Sequence, residues 1–159
     1  MTIAKAKMLS QADLFAGLAT EQLTGIAELC QEVTCAEGET LFREGEEAKK
    51  LFILLEGKIN LQVWLAAQRQ HITVEVINQP YQTIGWSGLV PPYFYTSSAV
   101  CQTKSRFLAM DGPAFYRLLE QDPVTGFVVM RRITEIVCDR LRNTRVVLLK
   151  FIGSGSSED

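Results

Sequence analysis

The chain has 159 residues, of which 47% are hydrophobic and 21% charged, and its formal net charge is −2 at pH 7. This length and apolar content predict one domain with a full core, which excludes overall disorder, and the small acidic charge excludes a general polyanion binder. No apolar run reaches the roughly 18–20 residues needed to cross a bilayer, and residues 1–10 lack the apolar stretch of a signal peptide. We therefore expect no membrane association and a cytoplasmic location.

Residues that support enzyme or metal chemistry are sparse. The four cysteines, Cys30, Cys35, Cys101 and Cys138, show no CxxC spacing, and the single histidine, His71, cannot form a metal site alone. The sequence contains no GxSxG, HExxH, P-loop or GxGxxG pattern. We expect no catalytic residues, no metal and no cofactor. The cysteines are interpreted as small buried hydrophobes, with redox sensing by one of them as the alternative.

The first third of the chain is predicted to be helical. Leu14, Phe15 and Leu18 are spaced for one helical face. Thr20 stands at an N-cap position, and Glu21 follows it in the first turn, where a negative charge is favourable. Apolar residues at three- and four-residue spacing then predict a short amphipathic helix over 20–31.

After residue 32 the pattern has the period of β-strands. Short apolar runs occur at 33–35, 40–42, 51–55, 58–65, 72–77, 98–102 and 106–110, and turn-forming residues separate them. Polar residues 66–70 join two alternating segments as a hairpin. On the second of these strands the alternation predicts two faces, with Ile72, Val74 and Val76 on one and His71, Thr73 and Glu75 on the other. The whole predicts a mainly β domain over about 32–111, either a sandwich or a jelly roll.

The segment 84–96 reads IGWSGLVPPYFYT and has no regular period. Its glycines and prolines argue against a central strand or a helix interior. Its aromatic side chains could line an apolar pocket, with hydroxyl groups of nearby serines and threonines as donors; the alternative is that they fill a core. The aromatic residues are Trp86, Tyr93, Phe94 and Tyr95.

The C-terminal part is predicted to form helices over about 113–152, the last of them roughly 40 Å long. An apolar stripe recurs along it at three- and four-residue steps: Met130, Ile133, Val137, Leu141, Thr144 and Leu148. Such a stripe suits another helix, so we expect a homodimer through this helix; the alternative is packing against the β domain of the same chain. Residues 1–8 are expected to be an N-terminal segment, 9–152 one domain, and 153–159 a flexible tail.

Three ordered segments resemble a known family. Residues 38–46 read GETLFREGE, residues 51–59 read LFILLEGKI, and the apolar pattern of 14–27 precedes them. In this order they resemble the cyclic-nucleotide-binding domain of catabolite-activator-type (Crp/Fnr-like) bacterial regulators, over about 9–152. The resemblance implies a double-stranded β-helix (jelly roll) with N-terminal helices and a long C-terminal helix. It also implies a regulatory ligand sensor in signal transduction, not an enzyme.

The resemblance also implies where a ligand binds. Family members carry a phosphate-binding cassette in which a Glu accepts the ribose 2′-hydroxyl and an Arg pairs with the cyclic phosphate. The corresponding residues here are Gly85, Trp86, Ser87, Gly88, Leu89, Thr96, Ser97 and Ser98. Trp86 stands at the Glu position and Thr96 at the Arg position, so both charges are absent. Because a buried phosphate without its bidentate Arg loses several kcal/mol, we do not expect cAMP to bind in the usual way.

Three interpretations follow from the resemblance. The first is a sensor domain for an unknown small ligand or partner protein, or one that has no ligand. The second is a genuine cyclic-nucleotide sensor with an atypical pocket, and the third is a transcription regulator of the same superfamily. In the transcription factors a helix-turn-helix domain follows the long helix, whereas this sequence ends eight residues after Phe151. We therefore expect no direct DNA binding, and interpret the basic residues of the helix as a solvated face.

Overall fold

The computed structural model describes residues 1–155. Helices α1 (Thr2–Leu9) and α2 (Thr20–Ala27) precede the strands, and helices α3 (Gly112–Gln121) and α4 (Pro123–Ser154) follow them. The strands are β1 (Cys30–Cys35), β2 (Thr40–Phe42), β3 (Lys50–Glu56), β4 (Ile59–Leu65), β5 (Gln70–Ile77), β6 (Thr83–Ile84), β7 (Ser98–Cys101) and β8 (Ser105–Asp111). No helix within this part of the chain combines the length and the apolar character that crossing a membrane requires.

The strands form two antiparallel sheets that enclose a common core layer, as in a jelly roll. The first sheet has the order β1-β8-β3-β6 and the second the order β2-β7-β4-β5. This confirms the predicted fold, including the β4–β5 hairpin, the helices before the strands and the long helix after them. Helices occupy more of the described chain than strands do, although the prediction was mainly β, because α4 alone has 32 residues.

Strands β3 and β8 are buried on both faces, which explains their uninterrupted apolar sequences. On β3, Phe52 and Leu54 contribute to the layer between the two sheets, whereas Leu51 and Ile53 pack with residues of the helices. Successive side chains of a strand point to opposite faces, so a strand with both faces covered reads as a continuous apolar run. The first sheet is therefore the central layer, with the second sheet on one side and the helices on the other.

The bounds of the helices differ from those predicted. Helix α2 ends at Ala27 rather than at 31, because the chain from Cys30 onward pairs with β8 as strand β1. Residues 1–8 form most of α1, and α4 continues through Gly153 and Ser154, which were predicted as tail. The remainder of that predicted tail, 156–159, lies outside the described residues.

A β-bulge in β5 breaks the alternation that the sequence predicts. Leu61 on β4 pairs with Glu75, and the register shifts immediately beyond this pair, so Val74 is an extra residue. Opposite residues of an antiparallel pair share a face, and Leu61 is buried inside the jelly roll. Glu75 therefore turns inward and Val76 is 41% exposed. The predicted grouping of Val74 with Val76, opposite Glu75, is wrong for this reason.

The cysteines are mostly core residues. Cys30, Cys35 and Cys101 are buried, as predicted, and Cys138 on α4 is exposed. Burial raises the pKa of the Cys30 thiol to about 11, an effect that the ammonium of Lys5 partly offsets. The thiolate is the reactive form of cysteine, so the buried Cys30 is chemically inert at neutral pH.

The turn between β3 and β4 depends on Gly57. Its φ is +117°, and a Cβ at this position would lie 2.2 Å from the Oγ of Ser105. We expect Gly57→Ala to lower the free energy of unfolding by roughly 2–4 kcal/mol. Gly38→Ala is the control, because φ is +82° there but no atom lies within 4 Å of the added Cβ, so the loss should be about 1 kcal/mol. Denaturant unfolding measures both, and equal losses would contradict the close approach at Gly57.

Candidate ligand-binding site

A cavity of about 280 Å³ lies between the second sheet, the 3₁₀ turn Trp86–Leu89 and helix α4. This volume is at the lower end of the range of about 300–1,000 Å³ typical of small-molecule pockets. Most of its wall is apolar and comes from Phe42, Leu61, Val63, Val74, Trp86 and Tyr95. Its polar lining consists of hydroxyl groups and one ion pair.

Gly85 shapes the end of the cavity nearest to β6. Its φ is +76°, and a Cβ there would lie 2.9 Å from the carbonyl oxygen of Lys50. Only glycine accepts this backbone conformation and this close approach without strain. The chain therefore turns abruptly from β6 into the 3₁₀ turn, and the turn brings Trp86 and Ser87 to the cavity.

Tyr95 anchors the loop on the other side of the cavity. Its ring stacks on Phe42 with the centroids 4.0 Å apart. Its hydroxyl donates a hydrogen bond to the carbonyl oxygen of Lys50 at 2.7 Å and accepts one from the Lys50 N–H at 3.2 Å. These contacts hold the loop next to β3 and place the following residues, Thr96 and Ser97, at the cavity.

The structure brings together five of the eight residues predicted for the ligand site. The five that line the cavity are Gly85, Trp86, Ser87, Thr96 and Ser97. They include both positions at which the family resemblance implies a charged residue. The hydroxyl groups of Ser87, Thr96 and Ser97 make no hydrogen bond to other residues in the part of the chain that the structure describes.

The other three predicted residues lie outside the cavity and have packing or hydrogen-bonding roles. Gly88 packs so closely that a Cβ would lie 3.0 Å from the carbonyl oxygen of Ala48. Leu89 is 2% exposed and belongs to the helical side of the core. Ser98 accepts a hydrogen bond from the Glu44 N–H at 2.9 Å. Its side chain lines a different hollow, on the outer face of the second sheet.

Two of the aromatic residues expected at the pocket lie outside the cavity. Tyr93 and Phe94 are 38% and 49% exposed. Tyr93 lines a separate shallow hollow together with Tyr116 and Arg117. The aromatic wall of the cavity therefore comes from Trp86 and Tyr95 of the segment 84–96 and from Phe42 on β2.

The charged residues of the cavity are ones that sequence reasoning missed. Arg140 of α4 reaches across the cavity, with its Nε 3.2 Å from the Oε2 of Glu75 on β5. Its Nη2 also donates a hydrogen bond to the carbonyl oxygen of Thr83 at 2.5 Å. Thr144, one turn farther along α4, lines the cavity as well. Glu75 was not predicted to face the cavity because the bulge in β5 cannot be read from the alternation of its sequence. Arg140 was not predicted there because the basic residues of α4 were assigned to a solvated face.

The ion pair is largely shielded from water. The side chains of Arg140 and Glu75 are 16% and 18% exposed. Burial lowers the pKa of Arg140, and the negative charges of Glu75 and Asp13 partly offset this shift. Burial raises the pKa of Glu75, and the positive charge of Arg140 partly offsets that shift. Desolvation is the largest cause of the pKa shift in both groups, and it disfavours the charged form of each. Each group therefore depends on the opposite charge of its partner to remain ionised.

No other cation of the described chain lines the cavity. Arg106, a basic residue that follows the cassette in sequence, forms ion pairs with Glu32 at 3.3 Å and Glu56 at 3.5 Å on the surface. Within residues 1–155 no group of three or more His, Cys, Asp or Glu side chains is placed to hold a metal ion. The cavity is thus a small apolar space with unpaired hydroxyl groups and one internally paired set of charges.

The predicted dimer stripe divides into two parts. Ile133 is 4% exposed and belongs to the core, and Met130 and Val137 pack against that core. Leu141 and Leu148, by contrast, are 50% and 56% exposed. The first half of the stripe is therefore explained by packing within the chain, and the second half is not.

With this geometry established, comparison with known proteins decides the family. The family model described as "Cyclic nucleotide-binding domain" matches residues 32–122, which is more than half of the chain. The chain belongs to the cyclic nucleotide-binding domain family. The match confirms the resemblance read from the three sequence segments. The family is one of regulatory domains rather than of enzymes.

Individual relatives agree with this assignment. This cyclic nucleotide-binding domain is 25% identical over 146 residues to the CRP-like cAMP-activated global transcriptional regulator of Mycobacterium tuberculosis. The alignment covers 92% of this chain and 62% of the relative, so the chain spans less than two thirds of that protein's length.

Solved structures show the same fold. A protein of Geobacter metallireducens GS-15, described as cyclic nucleotide-binding, has 31% identity and a TM-score of 0.76, covering 86% of this chain and 97% of that one. The N-terminal domain of a transcriptional regulator from Streptomyces coelicolor A3(2) has 26% identity and a TM-score of 0.70, covering 83% and 93%. The overall fold of this chain is thus shared with proteins of solved structure.

The Arg140 contacts should contribute measurably to stability. Arg140→Gln leaves the Glu75 carboxylate and the Thr83 carbonyl without their partner in a shielded place, so we expect a loss of about 1–3 kcal/mol in the free energy of unfolding. The control is Arg131→Gln, because Arg131 is 72% exposed and its ion pair with Glu135 lies at the surface. The control should change stability by less than about 0.5 kcal/mol. Similar losses for both variants in denaturant unfolding would contradict the shielded ion pair.

Proposed function

We propose that this chain is a regulatory sensor domain whose cavity does not bind cAMP in the way usual for its family. The observation that carries the proposal is the state of Arg140, the cation at the cavity. Its guanidinium pairs with Glu75 at 3.2 Å and donates to the Thr83 carbonyl at 2.5 Å, so its charge is already compensated and a phosphate would have to compete with the Glu75 carboxylate for it.

The cassette positions strengthen this conclusion. Trp86 and Thr96 line the cavity where the family resemblance implies a ribose-binding Glu and a phosphate-binding Arg. Neither an indole nor a hydroxyl carries a positive charge. A phosphate monoanion placed there would lose its hydration without gaining a charge-assisted hydrogen bond, which is the strong interaction in such sites.

A second candidate is a cyclic-nucleotide sensor that uses Arg140 instead of a cassette Arg. Two observations favour it: Arg140 lines the cavity, and the relative from Mycobacterium tuberculosis is named as cAMP-activated. It requires Arg140 to leave Glu75 and bind the phosphate. In that case cAMP would bind the wild-type domain, and Arg140→Gln would abolish the binding.

Isothermal titration with cAMP separates the two candidates. We expect the wild-type domain to bind cAMP no better than about millimolar, because the phosphate has no free cation to pair with. The double variant Trp86→Glu with Thr96→Arg restores both missing groups and should create measurable affinity. Because loss of the indole costs packing energy, its folding is checked first by thermal unfolding. Micromolar binding by the wild type would contradict the proposal.

We propose in addition that the domain is a homodimer through the C-terminal half of α4. Of residues 141–155, all except 147 are exposed. Leu141 and Leu148 lie seven residues apart, a spacing that places them on one face of the helix, and both are about half exposed. A projecting helix with such a face is stabilised when a second copy covers it.

The dimer can be tested at Leu141. Leu141→Glu would bring two carboxylates together at the interface between copies, so we expect the variant to sediment as a monomer at tens of micromolar. Val124→Glu is the control, since Val124 is 71% exposed on the same helix but lies far from the proposed interface. A wild-type sedimentation mass of one chain would contradict the dimer, as would an unchanged mass for Leu141→Glu.

We propose that the domain itself does not bind DNA. Its net charge is −2, and basic residues of α4 are balanced by nearby acids, as in the pairs Arg142–Asp139 at 2.6 Å and Arg132–Glu135 at 2.8 Å. A DNA-binding surface presents unpaired basic residues to the phosphates.

We also propose that the protein is cytoplasmic. Its four cysteines are free thiols, which suits a reducing compartment.

A further inference from the structure

The charges that line the cavity are paired with each other. Arg140 and Glu75 are the charged side chains among the described residues at the cavity wall, and they form one ion pair. Asp13 lies just behind the wall, where its carboxylate accepts hydrogen bonds from the N–H and the hydroxyl of Thr83. The charge of Asp13 also acts on Arg140, as the opposing influence on the pKa of that guanidinium shows.

We propose that the cavity binds an uncharged, largely apolar small molecule that carries one or two hydrogen-bonding groups. This inference rests on the proposed function, because it names the ligand class of the same cavity. It departs from the family's usual ligand, which is an anion. The Arg140–Glu75 pair is then the feature that determines which charge class of ligand can enter.

Electrostatics disfavours both kinds of charged ligand. A carboxylate or phosphate next to Arg140 would also lie next to Glu75, and Asp13 adds a second negative charge behind the wall. An ammonium next to Glu75 would lie next to the guanidinium of Arg140. In either case the ligand loses its hydration without gaining a free counter-charge, which is costly in a largely shielded space. An uncharged ligand avoids this cost.

The rest of the wall offers what an uncharged ring would need. Phe42 and Tyr95 stack with their centroids 4.0 Å apart, and Trp86 adds a third aromatic side chain to the wall. Aromatic walls of this kind bind planar apolar groups well. The free hydroxyl groups of Ser87 and Ser97 can donate or accept hydrogen bonds, so they can orient a ligand hydroxyl or carbonyl without any charge.

The experiment compares probes that share one ring and carry a neutral, an anionic or a cationic polar group. Isothermal titration is carried out at pH 7 on the whole chain with 2-phenylethanol, phenylacetate and 2-phenylethylamine, and with the matching indole compounds. The three members of each set are neutral, anionic and cationic, and they share one ring. We expect the neutral member to bind roughly tenfold or more tightly than both charged members. cAMP is titrated in parallel.

Two variants should invert the selectivity. Glu75→Gln leaves Arg140 without its carboxylate partner, so the affinity for the anionic probes should rise roughly tenfold. Arg140→Gln leaves Glu75 without its cation, so the affinity for the cationic probes should rise by a similar factor. Glu135→Gln is the matched control, because it removes a carboxylate from a surface ion pair on α4 and should leave all affinities unchanged.

The outcomes distinguish the inference from the proposed function. The inference is overturned if the wild type prefers an anionic or a cationic probe, or if no neutral probe binds below about 10 mM. These results need only the wild-type chain, so they stand even if a variant fails to fold. A folded Glu75→Gln that gains no anion affinity would also count against it. Micromolar cAMP binding would instead refute the proposed function, whatever the neutral probes do.

Discussion

The ion pair between Arg140 and Glu75 joins the long helix to the jelly roll across the cavity. The same guanidinium is held by Thr83, whose own N–H and hydroxyl donate to Asp13. Four segments therefore meet at one place: the 3₁₀ turn Asp13–Phe15 after α1, strand β5, strand β6 and helix α4. The shape and the charge of the cavity both depend on this meeting, because removing any one partner leaves a shielded polar group unpaired.

The layered core makes such a contact possible. The first sheet, of which β6 is an edge strand, is covered on both faces, so it provides a stiff support for the 3₁₀ turn Trp86–Leu89 that follows β6. The first half of α4 is bound to that support through Ile133 and its neighbours. Arg140 lies at the end of this bound half, just before the helix becomes exposed. Arg140 thus lies both at the cavity and next to the part of α4 that packs on the core.

Much of this architecture could be predicted from the sequence, because it follows from local periodicity and turn chemistry. The β4–β5 hairpin, the strand segments, the long helix and the irregular segment around Gly85 all have local signals, and the structure confirms them, although the bulge in β5 breaks the predicted alternation of that strand. The cassette positions Trp86 and Thr96 could be assigned from the spacing of a known family pattern, and both do line the cavity.

The charged part of the cavity could not be predicted in the same way. Arg140 is one of several basic residues on α4, and what distinguishes it is a tertiary contact with a strand 65 residues earlier in the chain. The apolar stripe on α4 was predicted to have one role along its whole length. In the structure its first half packs on the core of the same chain, whereas Leu141 and Leu148 in its second half are exposed. The periodicity of a helical sequence predicts which face is apolar. It does not predict which neighbouring element covers each part of that face.

The bulge at Val74 has a consequence for how this cavity can change. Val74 stands outside the β4–β5 ladder, because the residues on either side of it, Thr73 and Glu75, pair with the consecutive residues Gln62 and Leu61. Deletion of Val74 would therefore leave Glu75 opposite Leu61 and its ion pair with Arg140 in place, but it would remove one apolar side chain from the cavity wall. A change in the length of this strand would thus enlarge the space for a ligand without changing the charges that face it.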